Sequence, residues 1–112
     1  MELKLDSTGG VMVVTVPGKT LDAGNSQEFK SAVGPVLDAN SRLVLDMAEL
    51  SFVDSSGCGA LLSCLRKVKA NAGDLKLCSV SSQIRDLFNV IRMDQIFDIF
   101  GSREEAVNAF GV

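Results

Sequence analysis

Three short apolar runs, each followed by residues at helical spacing, constrain the fold of this chain most strongly. The runs cover residues 11–16, 43–47 and 75–80 and are rich in Val and Leu. Each run predicts a strand, and the first, which is continuous and β-branched, is typical of a strand that is covered on both faces. After each run, apolar residues recur three and four positions apart, as on one face of an amphipathic helix. Strands that alternate with helices predict an α/β domain with a partly parallel sheet.

Turn signals complete the predicted order of elements. Leu alternates with a polar residue at positions 3–5, which predicts a half-buried edge strand. A double glycine lies between this segment and the first run, so the two are predicted to form a hairpin. Residues 96–100 alternate in the same way and predict a further short strand. Pro35 lies inside the first helical stripe, where we expect a kink or a restart of the helix. Residues 1–112 therefore predict one α/β domain with a mixed sheet of four to five strands and about four helices.

Each predicted helix has an apolar stripe, and the first and last also have clear capping residues. Asn25 or Ser26 is expected to cap the first helix, and Ser102 with Glu105 forms a capping box for the last. The stripes are Phe29, Ala32, Val33, Val36 and Leu37; Cys58, Leu61, Leu62, Leu65, Val68 and Ala72; Ile84, Leu87, Phe88 and Ile91; and Ala106, Val107, Ala109 and Phe110.

The absence of histidine and the charge balance exclude several classes of function. The 112 residues include no His, and 11 Lys and Arg against 14 Asp and Glu give a net charge of −3. Without His there is no His-based catalytic triad and no His-ligated zinc site. Nucleic-acid binding needs a clustered positive field, and a membrane span needs roughly 20 apolar residues. We therefore expect a cytoplasmic protein that is not an enzyme and has neither a nucleic-acid nor a membrane partner.

The cysteines give no indication of a metal or a cofactor. Cys58 and Cys64 lie six residues apart, which is about 240° around a helix, so they cannot converge on one ion. Together with Cys78 they are odd in number and do not have disulfide spacing. We expect reduced, buried thiols that act as small hydrophobes, no metal site and no cofactor.

Residues 54–59, Asp-Ser-Ser-Gly-Cys-Gly, are the segment that most strongly indicates chemistry. They lie between a short, largely apolar segment and the first residues of the second helical stripe. The start of a helix exposes backbone N–H donors and a partial positive charge, which together favour an anion. A serine at this place is suited to holding a phosphate or accepting one, although simple capping by Asp54 explains the same residues. Gly57 and Gly59 follow at the start of the helix, where each costs about 1 kcal/mol relative to Ala. Simple capping does not need these glycines, so they favour the interpretation as a phosphate site.

Small residues also leave one face of this predicted helix nearly bare. They are Gly57, Ala60, Ser63 and Cys64. A bare face lets another backbone approach closely. We expect it to be the surface where a partner docks, although close packing within the domain would explain it as well.

These residues resemble the STAS domain family, and within it the bacterial anti-sigma factor antagonists. The resemblance is carried by residues 43–61, which include Asp-Ser-Ser-Gly at 54–57, and extends to residues 18–22, 77–88 and 99–106. It covers nearly the whole chain. The fold that it implies is a mixed sheet with helices packed mainly on one face.

The resemblance also implies a mechanism known as partner switching. Ser55, directly after the motif aspartate, corresponds to the serine that such proteins phosphorylate, and Ser56 is the second choice. The unphosphorylated form would bind an anti-sigma factor that is itself a serine kinase. A metal-dependent serine phosphatase would reverse the modification. Asp54 and Gly57 would form the helix cap and the environment of the switch. The partner-binding residues implied are Asp22, Ala23, Asn25, Asp54, Ser55, Ser56, Gly57, Cys58, Gly59 and Ser63.

Cys58 departs from the family, because its position is usually held by Leu, Ile or Val, and a thiol there raises the question of a redox input. Two other functions remain open. One is a STAS scaffold that works without phosphorylation inside a larger assembly, and the other is a regulatory module that binds a small ligand.

Overall fold

The computed structural model describes residues 1–111, so Val112, the last residue of the predicted domain, lies outside the described residues. The strands are β1 (Lys4–Thr8), β2 (Val11–Thr15), β3 (Thr20–Leu21), β4 (Arg42–Asp46), β5 (Phe52–Val53), β6 (Asp74–Cys78) and β7 (Ile99–Phe100). The helices are α1 (Ser26–Ala39), α2 (Ser55–Ala70), α3 (Ser82–Val90) and α4 (Arg103–Asn108), and one 3₁₀ turn covers Met93–Gln95.

The main sheet of the described chain has the strand order β1-β2-β4-β6-β7. β1 is antiparallel to β2, and the other neighbours are parallel, which confirms the predicted mixed sheet. Gly9 and Gly10 connect β1 to β2 with φ values of 58° and 78°. A two-residue turn with positive φ at both positions matches the twist of a hairpin, and glycine adopts it without a Cβ clash.

The helices cover the two faces of this sheet unequally. One buried cluster combines residues of α1, α2 and α3 with alternate residues of the strands, such as Val14 of β2 and Leu45 of β4. The other cluster lies under α4 and includes the intervening strand residues, such as Val13 and Val44. The continuous apolar runs are therefore buried on both sides, and most helices lie on one face, as predicted.

Arg103, the first residue of α4, holds that helix to the sheet. Its guanidinium contacts the buried carboxylate of Asp46 at 3.0 Å and donates to the Thr15 hydroxyl at 3.2 Å. A third contact reaches Asp6 of β1 at 3.1 Å. These polar groups bridge β1, β2 and β4 on the α4 face of the sheet.

Several local predictions differ from the structure. Helix α1 continues without interruption through Pro35, which is exposed. Strand β1 is exposed at every residue rather than half-buried, with Leu5 50% exposed at the edge of the sheet. Helices α2 and α3 end at Ala70 and Val90, so Ala72 and Ile91 fall outside them and are exposed. The predicted strand 96–100 is shortened to Ile99–Phe100, because the Ile96 and Phe97 N–H groups donate to the Met93 carbonyl in the preceding turn.

The predicted caps are borne out at α4 and differ at α1. Ser102 caps α4, since its hydroxyl accepts the Glu105 N–H at 3.2 Å and also lies 3.2 Å from the Glu105 carboxylate. Asn25 occupies the N-cap position of α1 but makes no side-chain cap hydrogen bond. Its amide is used in the preceding loop instead.

Candidate functional site

A separate pair of very short strands brings two distant segments together at the start of α2. β3 and β5 are parallel, with Leu21 opposite Val53, and the Asp54 N–H donates to the Leu21 carbonyl at 3.2 Å. The loop after β3 therefore lies beside the N-terminus of α2. This pairing places Asp22, Ala23 and Asn25 next to the Asp-Ser-Ser-Gly segment.

Asp54 caps α2 and also holds the neighbouring loop. One carboxylate oxygen accepts the Gly57 N–H at 2.9 Å, and the other accepts the Ala23 N–H at 3.0 Å. These hydrogen bonds, with that from Gly57 the strongest, hold the pKa of Asp54 below its ordinary value because they stabilise the ionised form. The cap was predicted from the sequence. The hydrogen bond from Ala23, which lies 31 residues before Asp54 in the chain, was not.

The loop of residues 20–25 is fixed by its own polar side chains. The Asn25 amide donates to the Thr20 carbonyl at 2.8 Å and accepts the Asp22 N–H at 2.9 Å. The Asp22 carboxylate accepts the Gly24 N–H at 2.9 Å. Because these bonds set the loop conformation, Ala23 is presented to Asp54 by a preformed backbone.

Ser55 and Ser56 are the first two residues of α2, and both are exposed. Backbone N–H groups at a helix start favour negative charge by roughly 0.3–1 kcal/mol. Both serines are therefore open to solvent at a helix start that favours negative charge.

The predicted bare face of α2 points into the domain and not outward. Gly57, Ala60 and Cys64 are buried, and a Cβ at Gly57 would overlap the Leu21 carbonyl oxygen. A small residue is needed at Gly57 because the backbone of Leu21 in β3 lies against α2 at this point. Ser63 is partly buried and lines a groove of about 130 Å³ between α1 and α2. The three buried residues Gly57, Ala60 and Cys64 therefore do not form an open surface, and docking of a partner on α2 stays a prediction for its exposed residues.

The exposed stripe of α2 begins at Ser55. Gly59 follows one turn later, and the partly buried Leu62 and the exposed Arg66 continue this side, since all four lie within about 60° around the helix. A Cβ at Gly59 would meet nothing within 4 Å. Of the two first-turn glycines, only Gly59 leaves open surface beside Ser55.

The cysteines are buried and free, as predicted. Burial, together with the charge of Asp54, raises the pKa of Cys58. Burial raises the pKa of Cys64 and of Cys78 to about 11. All three are therefore thiols at neutral pH, and Cys58 packs inward rather than lining the surface beside Ser55.

An apolar groove beside the site was missed by the sequence analysis. Phe52 of β5 is 53% exposed and lines a groove of about 370 Å³ together with Gln83 and Leu87 of α3. Val90, one helical turn beyond Leu87, is 80% exposed. Exposed apolar side chains that adjoin one another are typical of binding surfaces. In the sequence, the one indication of this surface was Val90, an apolar residue that lies outside the predicted apolar stripe of α3.

The described residues 1–111 contain no cluster of three or more His, Cys, Asp or Glu side chains arranged to hold a metal ion. Within the same residues, no helix has the length and apolar character that crossing a membrane requires.

Comparison with known proteins agrees with this geometry. The chain matches the STAS domain family over residues 2–106. It is 26% identical over 111 residues to the putative anti-sigma factor antagonist BtrV of Bordetella bronchiseptica, covering 98% of this chain and 95% of BtrV. It is also 26% identical to the anti-sigma-B factor antagonist of Bacillus subtilis, covering 84% of this chain and 85% of that protein. The structure of the Bacillus cell fate determinant SpoIIAA in its phosphorylated form superimposes with a TM-score of 0.72 at 23% identity, covering 97% and 99% of the two chains.

The chain belongs to the STAS domain family, because the match spans nearly all of it and the mixed sheet with its helices agrees. The two bacterial relatives described above carry the names of anti-sigma factor antagonists, and each is 26% identical to this chain.

Proposed function

We propose that this protein is an anti-sigma factor antagonist that works in the cytoplasm by partner switching. In its unphosphorylated form it binds an anti-sigma factor that is also a serine kinase, and this binding releases the sigma factor. Phosphorylation of Ser55 ends the complex, and a metal-dependent serine phosphatase restores it. The observation that supports the proposal most directly is the exposed Ser55 at the start of α2, beside a loop held by Asp54.

Ser55 is proposed as the acceptor because it lies on the open stripe of α2. Gly59, one turn along that stripe, has open space above its Cα, which lets a partner backbone approach the hydroxyl. Ser56 is rotated about 100° from Ser55 around the helix. Ser56 is therefore the second choice and also a matched control.

The transfer to Ser55 depends on groups that the kinase supplies. The γ-phosphoryl bond of ATP breaks, a new P–O bond forms to Oγ of Ser55, and ADP leaves. The hydroxyl proton must go to a base, and Asp54 is poorly suited because its lowered pKa makes it a weak one. Both Asp54 oxygens also accept backbone N–H groups. The base, the ATP and its magnesium therefore belong to the partner.

The phosphate acts on the interface rather than on the fold. It adds about −1.5 to −2 charge at pH 7 to a chain whose net charge is −3. The helix start offsets part of this locally, so the domain stays folded. A partner that packs over Ser55 must instead desolvate a dianion next to Asp54, and such unmatched charge costs several kcal/mol in an interface.

The binding experiment uses immobilised wild type, Ser55→Ala, Ser55→Asp and the control Ser56→Asp in an extract of the native cell. Mass spectrometry identifies a protein with a serine-kinase ATP site that is retained by wild type, Ser55→Ala and Ser56→Asp and lost from Ser55→Asp. Equal retention by Ser55→Asp and wild type would show that charge at this position does not control binding.

The modification experiment uses the captured kinase after purification, with ATP and magnesium. Intact mass should show one added phosphoryl group on wild type and Ser56→Ala and none on Ser55→Ala. Modification of Ser55→Ala but not of Ser56→Ala would transfer the acceptor role to Ser56. No modification of any variant would favour a STAS scaffold that works without phosphorylation.

A further inference from the structure

The outer edge of β1 is free in the described chain and unusually regular. β1 pairs with β2 on one side only, and all five of its residues are exposed. The two-residue turn makes Thr8 and Val11 a hydrogen-bonded pair, and such pairs alternate along a hairpin. The backbone groups of Lys4, Asp6 and Thr8 therefore face β2, and those of Leu5 and Ser7 face outward. Outward N–H and C=O groups on an edge strand form a template for another strand.

The side chains along this edge are complementary to those of a second copy of β1 that runs in the opposite direction. If a second copy of β1 pairs antiparallel about Leu5, Lys4 lies opposite Asp6 of that copy, and Asp6 lies opposite its Lys4. Leu5 meets Leu5, and the outward groups of both leucines form the central hydrogen-bonded pair. Lys4 and Asp6 form the closer, non-hydrogen-bonded pairs, in which opposite charges directly across a sheet are favourable.

The usual protection of an edge strand is weak here. A lysine on an edge normally repels a second strand, but the aspartate two residues later cancels that charge in the antiparallel register. Lys4 contacts Glu49 at 3.4 Å with both side chains exposed, and the contact between Asp6 and Arg103 is also at the surface. Exposed ion pairs contribute about 0–1 kcal/mol, so they are readily exchanged. Helix α4 packs mainly over β4, β6 and β7 and contacts β1 through the Arg103–Asp6 ion pair.

The opposite edge of the sheet does not offer the same surface. β7 has two residues, Ile99 and Phe100, and both are partly buried. Two residues provide too few outward backbone groups to align a second strand.

We propose that two copies of this chain associate through their β1 edges, antiparallel about Leu5, into one sheet that is continuous across both molecules. The pairing is a small interface of the kind that gives weak, concentration-dependent complexes. It lies on the opposite side of β2 from β4 and is independent of the function proposed for Ser55.

Charge reversal tests the register directly. Lys4→Asp places two acidic residues opposite each other in both reciprocal pairs, and Asp6→Lys places two basic ones. Each single variant should therefore associate at least about tenfold more weakly than wild type. An equimolar mixture of the two restores opposite charges in both pairs, and so does the double variant Lys4→Asp/Asp6→Lys with itself.

The measurement is sedimentation equilibrium from about 10 μM to 1 mM, in low salt because exposed charges are screened. Wild type, the mixture and the double variant should rise with concentration from 11.9 kDa toward twice that mass, and each single variant should stay near 11.9 kDa. Thermal melting of every variant confirms that it is folded. A wild type that remains at the monomer mass at the highest concentration overturns the proposal. Association that is equal in all five samples, or a mixture no heavier than its components, overturns it as well.

Discussion

Alanine substitution at the two first-turn glycines of α2 should have opposite effects on stability. Gly57 is buried, and an added Cβ would overlap the Leu21 carbonyl oxygen and lie 2.7 Å from a Val53 methyl carbon. The carbonyl belongs to the backbone of β3, which cannot rotate away as a side chain would. At Gly59 an added Cβ meets nothing within 4 Å. The same chemical change is therefore made once inside the domain and once in open space.

The magnitudes follow from helix propensity and packing. Alanine gains about 1 kcal/mol over glycine in a helix interior, and overpacking a filled site costs about 1–3 kcal/mol or more. Gly59→Ala should stabilise by about 0.5–1 kcal/mol. Gly57→Ala should destabilise by about 2 kcal/mol, because a backbone clash at the upper end of the overpacking cost, about 3 kcal/mol, is offset by about 1 kcal/mol of helix propensity. With an unfolding entropy of about 2.1 cal/mol/K per residue, 112 residues give a shift of roughly 4 °C per kcal/mol.

Urea and thermal unfolding followed by circular dichroism measure both effects. The melting temperature should rise by about 2–4 °C for Gly59→Ala and fall by about 8 °C for Gly57→Ala. Binding to the anti-sigma partner provides a second readout, in which a larger residue at Gly59 should weaken the complex without loss of stability. If Gly59→Ala were as destabilising as Gly57→Ala, the division of α2 into an inward and an outward face would be wrong.

Further predictions concern pH, the α4 contact and the thiols. Because the folded-state pKa of Asp54 lies below 3.8, its ionised form adds stability above that pH and loses it as the pH falls through the folded value. Asp54→Ala should therefore lower the urea midpoint more at pH 7 than at pH 3. Arg103→Ala leaves Asp46 without its charged partner and should cost about 2 kcal/mol in urea unfolding, and a loss below about 0.5 kcal/mol would show that α4 is held by apolar contacts alone. Cys64 and Cys78, with pKa values of about 11, should react with a thiol reagent at pH 8 only after unfolding, and rapid reaction of the folded protein would contradict their burial.

The larger elements were predictable because each has its own periodicity. The runs that became β2, β4 and β6 are long enough to indicate a strand, and Asp54 before a helical stripe indicates a cap. β3 and β5 have two residues each, which is too short for any pattern. The contact between Ala23 and Asp54 depends on that pairing and therefore had no local signal.

The direction of the small face of α2 could not be read from the sequence for a different reason. Gly57 and Gly59 are the same residue type two positions apart, and their spacing shows only that they point to different sides of a helix. Which side meets β3 is decided by tertiary packing. A small residue shows that something comes close, and the sequence does not tell whether that neighbour belongs to the same chain.

The bond between Asp54 and the backbone of Ala23 has a consequence for when the serine can be recognised. A free peptide of residues 50–60 carries the hydroxyl but lacks the loop that stands beside it in the folded domain. A kinase that reads both segments would ignore nascent or denatured chains and would modify only finished molecules. The phosphorylated pool would then also be a record of how much of the protein had folded.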